Sequence, residues 1–300
     1  MTRRAPAVAP SPLVMRTEGW GDYALIDSGA GRKLERFGPR RVVRPEPQCL
    51  WSPRLAEAEW AAADAVFDPE GEEDAGRWRL AGGTPHAFPL AWRAVRFQAR
   101  FTPFRHLGFF PEQAGNWAWL ESRAAERPLR VLNLFGYTGV ASLVLAAAGS
   151  SVTHVDASRR AVGWARENAA LSGLEDRPLR WLTEDARRWV AREQRRGATY
   201  DGVILDPPKY GRGPDGEVWR LLEDLPGLVA GCAAILGPDA SFLLLNAYAE
   251  RLSGLALAGL LAETLGARGG RIDWGELALA EADGARAVGV SFFARWSRDG

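Results

Sequence analysis

Cysteine, lysine and histidine are scarce in this chain of 300 residues. Cys49 and Cys232 are the only two cysteines, too few for a disulfide framework, and neither has a second cysteine at metal-ligand spacing. His86, His106 and His154 lie far apart, so no metal site is expected. Long apolar runs are lacking as well. Val140 to Ala148 stops at Gly149 and two serines, well short of the roughly 20 apolar residues that span a bilayer. No excess of one charge is present, since 38 basic residues face 37 acidic ones for a net charge of +1. Nucleic-acid binders are often strongly basic, so bulk charge neither requires nor excludes that partner.

What is present is ordinary for a globular chain. Hydrophobic residues make up 47% and charged residues 25%, which excludes a disordered, collagenous or coiled-coil protein. The length suits two domains. Residues 1–19, with Arg3 and Arg4 followed by alternating Pro and Ala, read as a disordered arm of a cytoplasmic protein and not as a signal peptide. Arg32, Lys33, Arg36, Arg40, Arg41 and Arg44 crowd together, either as a solvated face or as a phosphate-binding patch. Only two of the basic residues are lysine, Lys33 and Lys209, in a composition otherwise biased toward arginine.

The periodicity divides the chain. Residues 20–105 alternate short strands (Tyr23 to Ile26, Arg41 to Val43, Arg77 to Leu80, Val95 to Phe101) with one helix predicted over Arg54 to Phe67, giving a small α+β domain. Residues 106–300 repeat strand, loop and helix. Strands are predicted at Val131 to Phe135, Val152 to Val155, Leu179 to Leu182, Tyr200 to Leu205, Phe242 to Leu245, Ile272 to Leu279 and Val288 to Trp296. Helices are predicted between them, one of them over about Val218 to Leu236. That alternation implies an α/β fold with a mostly parallel sheet, whose ligands bind beyond the carboxyl ends of the strands.

Three features stand at such ends. Gly136-x-x-Gly139 joins the first strand to a helix, where glycines serve either a ligand-binding turn or simple loop closure. Asp156 ends the second strand, 20 residues after Gly136, where a carboxylate accepts both hydroxyls of a ribose or, alternatively, caps the next helix. The Gly-x-Gly start of a dinucleotide fingerprint is missing, which favours a nucleoside-bearing methyl donor over a pyrophosphate cofactor. After the fourth strand comes Asp206-Pro207-Pro208-Lys209-Tyr210. Two prolines fix φ and lack N–H groups, so Asp206 and the Pro207 carbonyl can form an acceptor pair for a planar amino group, although Pro-Pro also ends strands with no such role.

Residues 100–300 resemble the Rossmann-like class I S-adenosylmethionine-dependent methyltransferases. The motifs are Leu132 to Gly139, Val155-Asp156-Ala157-Ser158, Ala165 to Ala169, Asp185-Ala186 and Asp206 to Tyr210. Within that class the chain is most similar to the branch related to bacterial 23S rRNA large-subunit (cytosine-C5) methyltransferases. The resemblance implies a Rossmann-like seven-stranded methyltransferase sheet with a smaller N-terminal α+β domain for substrate recognition, S-adenosyl-L-methionine as cofactor, and RNA, specifically ribosomal RNA, as substrate. A homodimer is compatible with it; neither metal nor membrane is implied.

It further places Phe135, Gly136, Tyr137, Thr138 and Gly139 beside the methionine part of the donor, with Asn133 also among the donor-binding residues. Asp156, Ala157, Ser158 and Asn168 fall around the ribose, and Asp185 and Ala186 at the adenine. Phe110 and Gln113 lie in a segment that closes over the donor. Asp206, Pro207 and Lys209 are the expected catalytic set, Asp206 also touching the donor. One departure matters. A C5 enzyme needs a cysteine thiolate just past the fifth strand, and this chain has Leu245-Asn246-Ala247-Tyr248 there. Cys232 reads as helix core. Transfer to nitrogen needs only orientation and a lone pair. The alternative reading is a methyltransferase for a small molecule or protein side chain, and a third is a non-enzymatic RNA-binding module.

Overall fold

A computed structural model describes residues 5–71, 75–248 and 251–298. It forms two units. One comprises the described residues of Met1–Met15, Asn116–Leu277 and Ser291–Gly300; the other comprises Arg16–Gly115 and Ala278–Val290.

Of the expected disordered arm at residues 1–19, residues 1–4 lie outside the described residues, and the rest is not disordered. Strands β1 (Ala7–Val8) and β2 (Leu13–Thr17) both pair with a C-terminal strand. The reason is an otherwise open sheet edge, whose backbone groups need partners. Trp274 Nε1 donates to the Ala9 carbonyl at 2.8 Å, and Gly275 lets the Leu13 backbone approach where any Cβ would collide.

The smaller unit contains β3 (Tyr23–Gly29), β4 (Arg32–Phe37), β5 (Arg40–Pro45), helix α1 (Glu57–Ala61), β6 (Ala65–Pro69), β7 (Gly76–Leu80), and the hairpin β8 (Ala87–Trp92) and β9 (Val95–Arg100). Its five-stranded sheet runs β3-β4-β5-β6-β7. The helix predicted over Arg54 to Phe67 is a correction: only one turn forms before the chain enters β6. Asp64 accepts from the Arg41 N–H at 2.8 Å and from Arg40 at 3.1 Å, drawing the chain beside β5, and Val66 and Phe67 then follow strand alternation. Trp20, Tyr23, Phe37, Phe97 and Phe109 pack with ring centroids 4.9–6.1 Å apart.

The basic run folds into this unit and is neutralised there. Arg32 pairs with Glu57 at 3.1 Å, Arg40 with Asp64 and Arg41 with Glu59 at 3.0 Å, while Arg36 donates to two carbonyls. Lys33, Glu35 and Arg44 are buried, with Arg44 bidentate on Glu35 at 2.6 and 2.7 Å. Burial alone would raise the Glu35 carboxyl, but Arg44 and Lys33 hold it below its ordinary range. The run is a structural charge network.

The larger unit holds α2 (Ala114–Glu126, which begins in the smaller unit), β10 (Arg130–Leu134), α3 (Val140–Ala147), β11 (Ser151–Asp156), α4 (Arg159–Leu171), β12 (Leu179–Thr183), α5 (Ala186–Arg195) and β13 (Gly202–Leu205). It continues through β14 (Tyr210–Arg212), β15 (Val218–Arg220), α6 (Leu221–Ile235), β16 (Phe242–Ala247), α7 (Gly254–Leu265), β17 (Arg271–Ala280) and β18 (Ala287–Ser297). The sheet order is β1-β17-β18-β16-β13-β10-β11-β12, with β2 also on β17. It therefore has the seven expected strands plus two from the N-terminal segment. Five central strands are parallel, and β18 is antiparallel to β16. Order reverses between β10 and β13, the switch point at which such sheets bind ligands. Apolar clusters cover both faces, one with Trp189, Leu225 and Leu257, the other with Leu120, Leu145 and Phe242.

The helix predicted over Val218 to Leu236 starts late. A Gly213-Pro214-Asp215-Gly216 turn, with Gly216 at φ +90°, folds β14 against β15 before α6 begins at Leu221. Arg188 holds this turn through Asp215, at 2.6 Å, and Glu217. Among the described residues, no helix is long and apolar enough to cross a membrane.

Candidate functional site

The larger unit gathers the motif residues at the carboxyl ends of β10, β11, β12 and β13. Leu134, Leu205 and Leu245 are in register, so the loops after β10, β13 and β16 leave the sheet at one level.

The loop after β10 is strained. Phe135 and Tyr137 adopt φ of +56° and +51°, and Gly139 +86°. Aromatic residues in the left-handed region cost on the order of 1–3 kcal/mol each and persist only where neighbours enforce them. The neighbours are visible. Gly136 N donates to the Val155 carbonyl at 3.1 Å, Tyr137 N to Asp156 Oδ2 at 2.9 Å, and Asn168 Nδ2 to the Thr138 carbonyl at 2.9 Å. Beneath the loop, buried Asn133 donates to Ser142 Oγ at 2.8 Å, and Ser142 Oγ lies 3.0 Å from His154 Nδ1. Burial pushes the His154 imidazole down to about 3, so it is neutral.

Asp156 stands at the end of β11. Its second oxygen accepts from Ser158 N at 2.8 Å, so the carboxylate clamps its own turn and the β10 loop together. Burial raises its pKa from the ordinary aspartate value and so disfavours the ionised form, opposed by the Ser158 and Tyr137 N–H groups. Ser158 is the N-cap of α4, its Oγ accepting from Ala161 N at 3.2 Å, with Ala157 between the two. Asp185 is the N-cap of α5: Oδ1 accepts from Arg187 N at 2.9 Å and Arg188 N at 3.1 Å. Its Oδ2 has a 3.4 Å contact with Arg187 Nη2, which leaves acceptor capacity on that oxygen. Ala186 is buried against the core that contains Trp189. Asn133, Thr138 and Asn168 are equally buried and support the loop from behind.

After β13, Asp206 is partly buried, Pro207 is buried, and Pro208, Lys209 and Tyr210 are exposed. The Pro208 carbonyl accepts from Trp219 Nε1 at 2.7 Å, and the Lys209 carbonyl from Leu221 N at 3.0 Å. The structure thus groups Phe135 to Gly139, Asp156 to Ser158, Asn168, Asp185, Ala186 and Asp206 to Lys209 in one unit. Phe110 and Gln113 belong to the other unit. There Phe110 is exposed and Gln113 is buried in the short 3-10 turn Pro111–Gln113. Sequence reasoning missed Trp219, Arg187, Ser142 and His154; the Gly-Pro-Asp-Gly turn was the one signal that could have exposed the hairpin carrying Trp219.

Cys232 lies fully buried in the α6 core, and burial drives its thiol far above the usual range. β16 runs on through Asn246, which is buried with Asn116 Nδ2 donating to its Oδ1 at 3.0 Å. Among the described residues no group of three or more His, Cys, Asp and Glu is placed to hold a metal ion.

A family model for S-adenosylmethionine-dependent methyltransferases matches residues 58–244. The chain belongs to that family. It is 48% identical to the SAM-dependent methyltransferase from Agrobacterium tumefaciens, covering all of this chain and 97% of that one with a TM-score of 0.95. A second crystal structure, the methyltransferase SMU.776 complexed with SAH, is 16% identical with a TM-score of 0.66 over 92% of this chain and 75% of that one, which is a likeness of fold alone. Among curated proteins it is similar to ribosomal RNA large subunit methyltransferase K/L of Magnetococcus marinus (31% identity over 50% of this chain) and of Shewanella baltica (30% over 51%). It spans only 20% and 21% of those proteins.

The enzyme is therefore an S-adenosylmethionine-dependent methyltransferase, and its strand ends suit that donor. Asp156 ends β11 and Asp185 caps the helix after the neighbouring β12, and the glycine-bearing loop at the N-terminus of α3 donates to Asp156 through Tyr137 N.

Proposed function

We propose that this enzyme methylates a nitrogen on an unpaired base of RNA, with ribosomal RNA in the cytoplasm as its target. The observation that carries the reading is the Asp206-Pro207-Pro208-Lys209 turn, which leaves the sheet at the same level as the donor loop. The donor supplies an electrophilic methyl group. Asp156 holds the ribose hydroxyls, Asp185 Oδ2 takes the adenine amino group, and the Phe135–Gly139 loop encloses the methionine end. Ala157, Ser158 and Asn168 keep these groups in place.

Asp206 and the Pro207 carbonyl accept the N–H groups of the acceptor base. That orients the nitrogen lone pair, and such placement is where most of the rate comes from. Asp206 can take up the proton that the nitrogen sheds after transfer. A thiol route has no support, because both cysteines are buried and burial pushes both thiols up, away from the thiolate form.

Phosphate contacts do not come from the neutralised run at Arg32 to Arg44. The β14–β15 hairpin instead presents Lys209, Tyr210, Arg212 and Arg220, all exposed, with Tyr210 and Arg220 cross-strand partners. Basic side chains around an exposed aromatic ring suit single-stranded nucleic acid. The names of the curated relatives support the same substrate class.

Incubation with labelled donor and total RNA, then mass-spectrometric mapping, tests the reading. A methyl group on a base nitrogen is expected. Label confined to protein or small molecules rejects RNA as substrate, and label on a base carbon rejects nitrogen.

A further inference from the structure

Trp219 belongs to none of the sequence motifs, yet it touches two of the loops that carry them. It is 3% exposed and faces Gly211 across the β14–β15 hairpin. Its Nε1 donates to the Pro208 carbonyl at 2.7 Å. Its ring lies 5.0 Å from the Phe135 ring at 54°. The Arg187 guanidinium stands 5.9 Å from the centroid of the same indole. Arg187 in turn donates to the Val218 carbonyl at 2.9 Å, pairs with Asp224 at 2.8 Å and contacts the Asp185 cap at 3.4 Å. One side chain therefore joins the turn after β13, the strained loop after β10 and, through Arg187, the helix start after β12.

We infer that Trp219 is a positioning residue that sets the Asp206–Lys209 turn against the donor loop. The inference rests on the reading of that turn as the acceptor site. Strand pairing ends at Leu205, and the two prolines fix their own φ without fixing how the turn as a whole leans from the sheet. The indole N–H on Pro208 adds a side-chain restraint within the turn itself, ahead of the backbone bond from Leu221 N to the Lys209 carbonyl at 3.0 Å. Ring contact with Phe135 ties the same restraint to a residue held at φ +56°, so acceptor and donor loops move together. Transfer needs reacting atoms held about 3–3.5 Å apart, a tolerance that a loose turn does not meet. A tryptophan that only filled the core would, on replacement by phenylalanine, lose stability to the smaller ring but leave kcat per folded molecule unchanged.

The test compares Trp219→Phe, which keeps a ring beside Phe135 and loses the N–H, with Trp219→Leu, which loses both. Calorimetry uses S-adenosylhomocysteine, turnover uses labelled donor with total RNA, and hydrogen exchange is followed on the enzyme saturated with S-adenosylhomocysteine. For Trp219→Phe, ligand affinity should stay within about twofold, amides from 209 to 213 should exchange roughly tenfold faster, and kcat should fall about tenfold with KM for RNA unchanged, the loss of one buried hydrogen bond. Trp219→Leu should in addition bind S-adenosylhomocysteine about fivefold or more weakly. Wild-type exchange and turnover in Trp219→Phe overturn the inference. Asp206→Asn separates the two failures: its loss of turnover keeps the turn as acceptor site when only Trp219 fails. If wild-type enzyme leaves RNA unlabelled, the reading of the site falls, and the exchange rates still decide the positioning role.

Discussion

The imidazole of His154 lies directly beneath Gly136, so that a Cβ at position 136 would come within 2.5 Å of His154 Nδ1. The ring is fully buried, 4.8 Å from Trp181, and has nowhere to move. Gly136→Ala should therefore cost about 1–3 kcal/mol as overpacking and weaken donor binding through the loop. His154→Ala opens the space. The double variant should be more stable than the summed single effects by about 1–2 kcal/mol, read from urea unfolding in a double-mutant cycle. Strict additivity would mean that the glycine is required for another reason.

The same histidine gives a pH signature. Native His154 stays neutral down to about 3, while an unfolded histidine titrates near 6.5. Its folded value is depressed, so its contribution is complete above the unfolded value and is lost as pH falls. Between pH 6.5 and 5 the wild-type protein should lose about 2 kcal/mol from this group, at ~1.4 kcal/mol per unit. Unfolding midpoints of His154→Gln should change less over that window; an equal slope would place the effect on other groups.

How much was legible in the sequence follows from where each contact is made. Gly136, Asp156 and the Asp206-Pro207-Pro208 turn were readable because a strand end, a turn residue and a helix start are local signals. The parallel sheet was readable from strand and helix alternation. Arg32 to Arg44 were not: their partners Glu57, Asp64 and Glu59 sit about 20 residues on, and Glu35 meets Arg44 only because β4 and β5 pair. Trp219 was hidden by a hairpin inside a segment with helical composition. The strands at Ala7 and Leu13 exist only because β17 offers an edge.

If Asp156 holds the ribose of the donor, as proposed, donor binding is tied to pH. Burial raises its carboxyl above 3.8, and ribose hydroxyls bond best to the ionised form. Donor affinity should thus fall as pH drops from neutrality toward that raised value, earlier than for an ordinary aspartate, and approach tenfold per unit below it. The unliganded fold shows the opposite sign, since a raised carboxyl favours the folded state at low pH and loses that contribution as pH rises through it. Calorimetry from pH 7.5 to 5 checks this. Asp156→Asn should bind about tenfold or more weakly at pH 7.5 and lose the pH dependence; a retained slope removes Asp156 from the ribose.

Chemistry without a thiol is the next expectation. Cys232 is enclosed by the α6 core, and burial pushes Cys49 in the smaller unit up to about 11, so neither forms a thiolate near neutral pH. The Cys49→Ser, Cys232→Ser double variant should keep its methylation rate per folded molecule, even if the buried hydroxyl at 232 costs about 1–3 kcal/mol of stability. A covalent adduct trapped with RNA containing 5-fluorocytidine, and lost in Cys232→Ser, would overturn nitrogen transfer.

Lys209 follows two prolines whose φ is fixed, and its own carbonyl is tied to Leu221 N at 3.0 Å, so the backbone aims its side chain from a defined point. It is exposed beside Tyr210, in a chain where arginine otherwise serves almost every basic position. An ammonium is a compact charge with three donors, while a planar guanidinium needs more room and prefers paired acceptors. If the ammonium neutralises a phosphate or base oxygen of the acceptor, Lys209→Ala should lower kcat/KM for RNA by about tenfold, near the 1.5–3 kcal/mol of a charged hydrogen bond. Affinity for S-adenosylhomocysteine should stay within twofold, roughly 0.4 kcal/mol. Lys209→Arg should recover little of the rate despite keeping the charge. Steady-state kinetics at saturating donor decides between the two geometries: wild-type turnover in the arginine variant would show that charge alone is used, and wild-type turnover in the alanine variant would remove Lys209 from the acceptor site.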